Sequence, residues 1–139
     1  MRLRPGELAY YPAGCRHTLR TTSASPATYV MFKWRGEPRE RDELARGRFD
    51  SELPGVLLEQ PTRYLRKLQG HVTVLEPGGG YEAHADAYDV AIVVLEGELE
   101  TIGGRPAPHD VIFYRAGEPH GMRNVGSEPA RYVVFEFHS

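Results

Sequence analysis

The chain has a single cysteine, two lysines and no long apolar run, and each scarcity excludes something. Cys15 has no partner for an intrachain disulfide, so the fold relies on its core, and a reducing compartment is the simplest setting. Of 17 basic residues only Lys33 and Lys67 are lysines, and the arginines are dispersed, not clustered. Set against 19 acidic residues they leave a formal net charge of -2, so neither a basic footprint for nucleic acid nor an acidic tail exists. The longest apolar run, residues 90–95, is far too short to cross a bilayer as a helix, and the opening MRLRPGEL lacks a signal-peptide core. These absences predict a cytoplasmic protein with neither nucleic acid nor membrane as partner.

What is present is one domain's worth of chain, 139 residues with 40% hydrophobic content, enough for a single core. It is organised around residues 77–97, PGGGYEAHADAYDVAIVVLEG, which run from a glycine-rich turn through a polar cluster into an apolar strand. His84 and Asp86 are two apart, so on a strand they share a face and converge on one ion or one ligand. Val90, Ile92 and Val94 continue that parity as an apolar wall, and Glu96-Gly97 forms a hairpin turn. The pattern describes a cavity lining with one wet end. A hydrogen-bonded His-Asp pair holding a turn at a barrel mouth is the plainer alternative for the same two residues.

The chain also repeats itself. At an offset of 103 residues, Gly6–Lys33 lies over His109–Glu136 without a gap, and ten of the 28 positions are identical, including Tyr11 with Tyr114, Gly14 with Gly117 and His17 with His120. Each copy reads as a short strand, a glycine turn, a strand opening at the histidine, and a strand rich in aromatic and β-branched residues. In the first copy these are residues 8–11, a strand from His17, and residues 29–34. Between the copies, residues 35–60 are charged, and Pro38 with Gly47 suggests a short surface helix near 38–46. From Tyr64 onward strands are expected at 64–68, 71–75, 83–84, 89–95, 98–102, 111–113, 120–124 and 132–137, which implies a sandwich or barrel.

Two motifs here resemble those of the cupin superfamily. Gly78, five residues, His84-Ala85-Asp86, three residues, Val90, six residues and Gly97 keep the frame of the first cupin motif, with Asp86 replacing its second histidine and Val90 its glutamate. His109, five residues, Arg115-Ala116-Gly117, two residues, His120, three residues and Asn124 follow the second motif, with its opening glycine and its proline substituted. Gly6, Pro12-Ala13-Gly14 and His17 repeat that second motif, with Thr21 in place of the asparagine.

The resemblance implies an all-β fold, a cupin double-stranded β-helix (jelly-roll barrel) over residues 61–139. It is preceded by a half-cupin strand extension over 1–34 and a charged connector with a short helix over 35–60, a layout like a truncated bicupin. A half-barrel exposes unpaired strand edges. Residues 1–34 are therefore expected to pair with the barrel's own sheet or with a partner chain, which makes a homodimer the expected state.

The resemblance further implies a divalent metal, iron, manganese, zinc or nickel, held in the barrel by His84, Asp86 and His120. Two histidines and one carboxylate with open positions suit non-haem iron. Alternation points Asp89 to the other face. Tyr81, Tyr88, Met122, Arg123 and Asn124 are the candidate ligand-binding residues, while His17, His71, His109 and His138 are expected to be structural or on the surface. The leading expectation is a small-molecule-binding protein, with the possibility of a metal-dependent enzyme acting on a small oxygenated substrate. Its rivals are a metal-free ligand-binding or sensor module, and an oligomerising scaffold whose pocket is packed by Val90, Ile92, Met122 and Phe113. No residue is assigned a catalytic role.

Overall fold

The computed structural model describes residues 1–40 and 47–139, and among them all regular structure is β. The strands are β1 (Glu7–Tyr10), β2 (Gly47–Asp50), β3 (Gly55–Gln60), β4 (Lys67–Leu75), β5 (Gly80–His84), β6 (Asp89–Glu96), β7 (Leu99–Thr101), β8 (Val111–Tyr114), β9 (His120–Asn124) and β10 (Ala130–His138). Strands β3 to β10 build a jelly roll from two antiparallel sheets, ordered β3-β4-β10-β6-β8 and β5-β9-β7, while β1 and β2 form a separate ribbon. No helix among the described residues is long and apolar enough to cross a membrane.

Strand β10 sits at the centre of the larger sheet and pairs along its whole length with β4, from Ala130 opposite Leu75 to His138 opposite Lys67. On its other side it pairs with β6. Its inward residues Tyr132 and Val134 join Val90, Ile92, Val94, Leu99, Tyr114 and Met122 in the barrel core. Its outward residues Val133 and Phe135 join Val72 and Ala91, so the sheet is buried on both faces.

The N-terminal extension supplies the outer cover. Leu8 and Phe32 pack on that outer cluster, and Phe32 lies 5.4 Å from Phe135 between ring centroids. Trp34 meets Phe137 edge-on at 5.6 Å and stacks with Tyr10 at 6.0 Å. Large aromatic surfaces of this kind each remove on the order of 150–250 Å² from water, which is enough to hold an extension that makes few backbone bonds.

Several expectations are corrected. Of the three strands expected in the extension only the first forms, as β1; residues 17–21 and 29–34 are not in strands. In the second copy the equivalent segments pair with β5, β7, β4 and β6, whereas residues 17–21 and 29–34 have no such strands beside them among the described residues. The short helix near 38–46 is not seen: residues 38–40 are not helical, and 41–46 lie outside the described residues. Strands β2 and β3 lie in the stretch read as a charged connector, β3 pairing with β4 around a bulge between Val56 and Leu58.

The strands expected at 64–68 and 71–75 are one, β4. Gly70 does not break it but admits a close neighbour, because a Cβ there would sit 3.4 Å from the Phe135 ring.

The turn between β6 and β7 depends on a backbone that side chains disfavour. Gly97 has φ +91°, and a Cβ on it would meet the Cα and Cβ of Ala130 at 2.5 Å. Gly97→Ala is therefore expected to lower the free energy of unfolding by about 2 kcal/mol or more, combining left-handed strain with overpacking. Urea unfolding followed by fluorescence measures it, and an unchanged midpoint refutes the packing described.

Candidate metal and ligand site

The smaller sheet presents its ligands through strand pairing. His84 at the end of β5 stands directly opposite His120 at the start of β9, so both imidazoles leave the sheet on the same side, their ring centroids 4.5 Å apart. Asp86 follows two residues after His84, beyond the end of β5, and its backbone carbonyl accepts a 2.7 Å bond from the Gly117 N–H in the turn before β9. That bond brings the Asp86 carboxylate to the two rings. Its Oδ2 lies 3.3 Å from His120 Nε2 and 3.7 Å from His84 Nε2.

The imidazoles are oriented from behind. His84 Nδ1 lies 3.2 Å from the Glu82 carbonyl, and His120 Nδ1 lies 3.1 Å from the Glu118 carbonyl. A carbonyl only accepts, so Nδ1–H is the donor in both contacts and Nε2 is the nitrogen turned toward the Asp86 carboxylate. Tyr114 stacks on His120 at 4.6 Å and 20°, and Tyr81 meets His84 edge-on at 5.3 Å.

One atom from each of His84, Asp86 and His120 lies within 4.8 Å of the others. Ligands bonded to a zinc ion at ~2.0–2.1 Å stand about 3.3 Å apart in tetrahedral geometry, close to the separations found here. The donor set, its spacing and its backbone orientation fit a divalent ion. Side-chain exposure rises from 4% at His120 through 24% at Asp86 to 49% at His84, so the cluster has one side open for a further ligand.

A cavity of about 300 Å³ adjoins these residues. Val90, Ile92 and Val134 form its apolar wall. Tyr81, Tyr132 and Thr73 also line it. Burial, the largest cause, raises the phenols of Tyr81 and Tyr132 above the usual range. Burial and then the Glu136 and Asp86 charges push Tyr88 up to about 12. All three hydroxyls thus keep their protons at neutral pH and can donate.

The remaining wall was not expected from the sequence. His71 on β4 and Glu136 on β10 both face the cavity. His138 Nε2 donates to Glu136 Oε2 at 2.8 Å, and its ring lies 3.8 Å from that of Tyr88. His71 and His138, expected to be surface or packing residues, thus belong to the cavity side of the sheet. The signal was the alternation Tyr132, Val134, Glu136, His138, which continues the inward parity of β10.

The other expected residues fall in different places. Tyr81 and Tyr88 line the cavity. Met122 is 2% exposed within the barrel core and is not among the lining residues. Arg123 points to solvent, where it meets Glu82 at 3.5 Å. Asp89 faces away, its carboxylate accepting from the Ala116 N–H at 2.8 Å. Asn124 serves the backbone: Nδ2 donates to the Leu75 and Glu128 carbonyls at 2.9 and 2.8 Å, and Oδ1 accepts from the Gly126 N–H at 2.9 Å.

Comparison with known proteins gives the fold a family context. Residues 71–136 match the family model described as Cupin domain. No curated protein compared with the chain matches it significantly. Among solved structures, an uncharacterised conserved protein with a double-stranded β-helix domain from Klebsiella pneumoniae subsp. pneumoniae MGH 78578 is 23% identical with a TM-score of 0.53, over 61% of this chain and 75% of that one. A cupin domain from Bordetella pertussis Tohama I is 17% identical with a TM-score of 0.50, over 63% and 93% of the two chains. A protein from Thermus thermophilus is 27% identical with a TM-score of 0.49, over 59% and 84%.

Asn124→Ala removes three buried backbone partners at once and is expected to cost about 2–3 kcal/mol of stability. Denaturant unfolding checks this; a residue serving only a ligand would leave stability unchanged.

Proposed function

Because residues 71–136 match the Cupin domain model, we propose that the chain binds a small oxygenated molecule at a divalent metal held by His84, Asp86 and His120. The observation that carries this reading is the pair of backbone-oriented imidazoles facing one carboxylate beside an open cavity. A bound iron, manganese, zinc or nickel ion supplies a Lewis acid that polarises a ligand oxygen. The chain's own residues do the rest. The Glu82 and Glu118 carbonyls hold the imidazole protons on Nδ1, Val90, Ile92 and Val134 exclude water from one wall, and the Tyr81 and Tyr132 hydroxyls orient the ligand. Whether binding leads to turnover depends on the ligand. The scaffold reading is disfavoured, since Phe113 is 54% exposed and space for a ligand remains beside Val90 and Ile92.

The second element of the proposal is a homodimer. Leu19, Tyr29, Val30 and Met31 of the extension are exposed, as are Val111 and Phe113 on β8, the edge strand of the larger sheet. Residues 17–21 and 29–34 of the extension carry strand-forming sequence with no strand beside them among the described residues, and a second copy of the chain is the occupant that offers matching edges.

Elemental analysis of protein purified without chelator tests the metal. We expect close to one divalent ion per wild-type chain and none in His84→Ala with His120→Ala. If the wild type retains nothing after loading with iron, manganese, zinc and nickel in turn, the metal reading is wrong. Sedimentation equilibrium of the full chain is expected to give twice the chain mass, and a monomer refutes the dimer.

A further inference from the structure

Besides the residues proposed to hold the metal, the cavity is lined by His71 and Glu136 of the larger sheet, which have chemistry of their own. Glu136 is fixed by His138 and lies near the Tyr88 hydroxyl. Its Oε2 takes the His138 Nε2–H at 2.8 Å, and its Oε1 lies 3.9 Å from His71 Nδ1, too far for a hydrogen bond. His71 Nδ1 is itself buried and has no hydrogen-bond partner among the described residues. A buried nitrogen and a carboxylate oxygen thus face the same cavity from adjacent strands, separated by a gap that neither closes. Buried polar atoms in folded proteins are nearly always satisfied, so the unpartnered His71 Nδ1 beside the Glu136 carboxylate marks a place for a polar group of a ligand.

The partner's chemistry follows from the two atoms. Glu136 Oε1 only accepts, and His71 Nδ1 donates in one tautomer and accepts in the other. A hydroxyl group satisfies both at once, donating to Glu136 and accepting from His71 Nδ1–H, and it fits between atoms 3.9 Å apart at ordinary hydrogen-bond distances. The charges point the same way. Among the described residues no arginine or lysine lines the cavity, whereas two carboxylates, Asp86 and Glu136, do. A bound divalent ion offsets Asp86 and leaves Glu136 facing the ligand. An anionic ligand reaching that wall meets a like charge with no cation beside it.

We infer that His71 and Glu136 form a hydroxyl-binding subsite that selects an uncharged, hydroxyl-bearing small molecule, a short polyol or hydroxycarbonyl compound, over its carboxylate or phosphate relatives. The cavity's volume, about 300 Å³, equals that of roughly ten water molecules, which limits the ligand to a few carbons. His138 acts as a positioning residue: by holding Oε2 it turns Oε1 toward the ligand. The inference rests on the small-ligand reading above but needs only the cavity, not the metal.

Saturation-transfer NMR on the full chain, with and without zinc, tests it using xylitol, dihydroxyacetone and glycerate as probes. Xylitol and dihydroxyacetone are expected to bind in both forms. Glycerate is expected to bind the zinc-free wild type at least tenfold more weakly than xylitol. Glu136→Gln, which keeps the side chain's size, and His71→Phe are each expected to weaken xylitol binding at least tenfold while leaving zinc binding intact. Glu136→Gln is further expected to narrow the gap between xylitol and glycerate. If His71→Phe does not fold, the near-isosteric Glu136→Gln decides alone. The subsite is overturned if neither neutral probe binds, if Glu136→Gln binds xylitol as the wild type does, or if glycerate binds the zinc-free protein as tightly as xylitol. Failure to hold zinc together with Glu136-dependent xylitol binding retires the metal and keeps the subsite.

Discussion

The register of β10 between β4 and β6 is the constraint on which the rest of the molecule depends. A strand buried on both faces has no alternative pairing, because a slip of one residue exchanges its two sets of side chains. Here the inward set is Tyr132, Val134 and Glu136, which build the cavity, and the outward set is Val133, Phe135 and Phe137, which carry the N-terminal extension. Site and cover are therefore fixed by one pairing. Gly70 on β4 is part of that arrangement, since the Phe135 ring occupies the space its side chain would fill.

The motif-bearing strands were legible because their signals are local. Alternation from Asp89 to Leu95, the Glu96-Gly97 turn and the His84-X-Asp86 spacing each specify a structure within a few residues, and all three appear in the fold. The facing of His84 and His120 also followed, through the resemblance of their surroundings to known motifs. What escaped was long-range. Gly70 reads as a strand break in isolation and as a contact position only once Phe135 lies across it. His71, Glu136 and His138 stand on separate stretches of chain with no motif around them, and only the β4–β10 pairing brings them to one cavity. The extension differs for the opposite reason: residues 17–21 and 29–34 copy strands of the barrel in sequence, yet strand structure depends on neighbours that the first copy lacks among the described residues.

The cavity that results has polar groups from both sheets and an apolar wall. Backbone carbonyls accept from Nδ1 of His84 and His120 and turn Nε2 inward, and His138 holds one oxygen of the Glu136 carboxylate. Both devices set side-chain orientation through a group outside the cavity lining, which is how a small barrel fixes geometry without a large shell of residues.

The internal repeat survives in three dimensions over a short span. Tyr11 stacks on His17 at 4.5 Å and 17°, as Tyr114 stacks on His120 at 4.6 Å and 20°. Gly14 and Gly117 adopt φ +75° and +82°, and His17 Nδ1 reaches the Cys15 carbonyl at 2.9 Å as His120 Nδ1 reaches that of Glu118 at 3.1 Å. One histidine is exposed and the other buried, so the barrel is not what aims the ring. The seven residues from tyrosine to histidine carry that instruction themselves. Such a cassette is portable: it delivers an aimed imidazole to whatever sheet receives it, so a metal-binding position can be lost or regained by altering the surroundings while the aiming device is inherited unchanged.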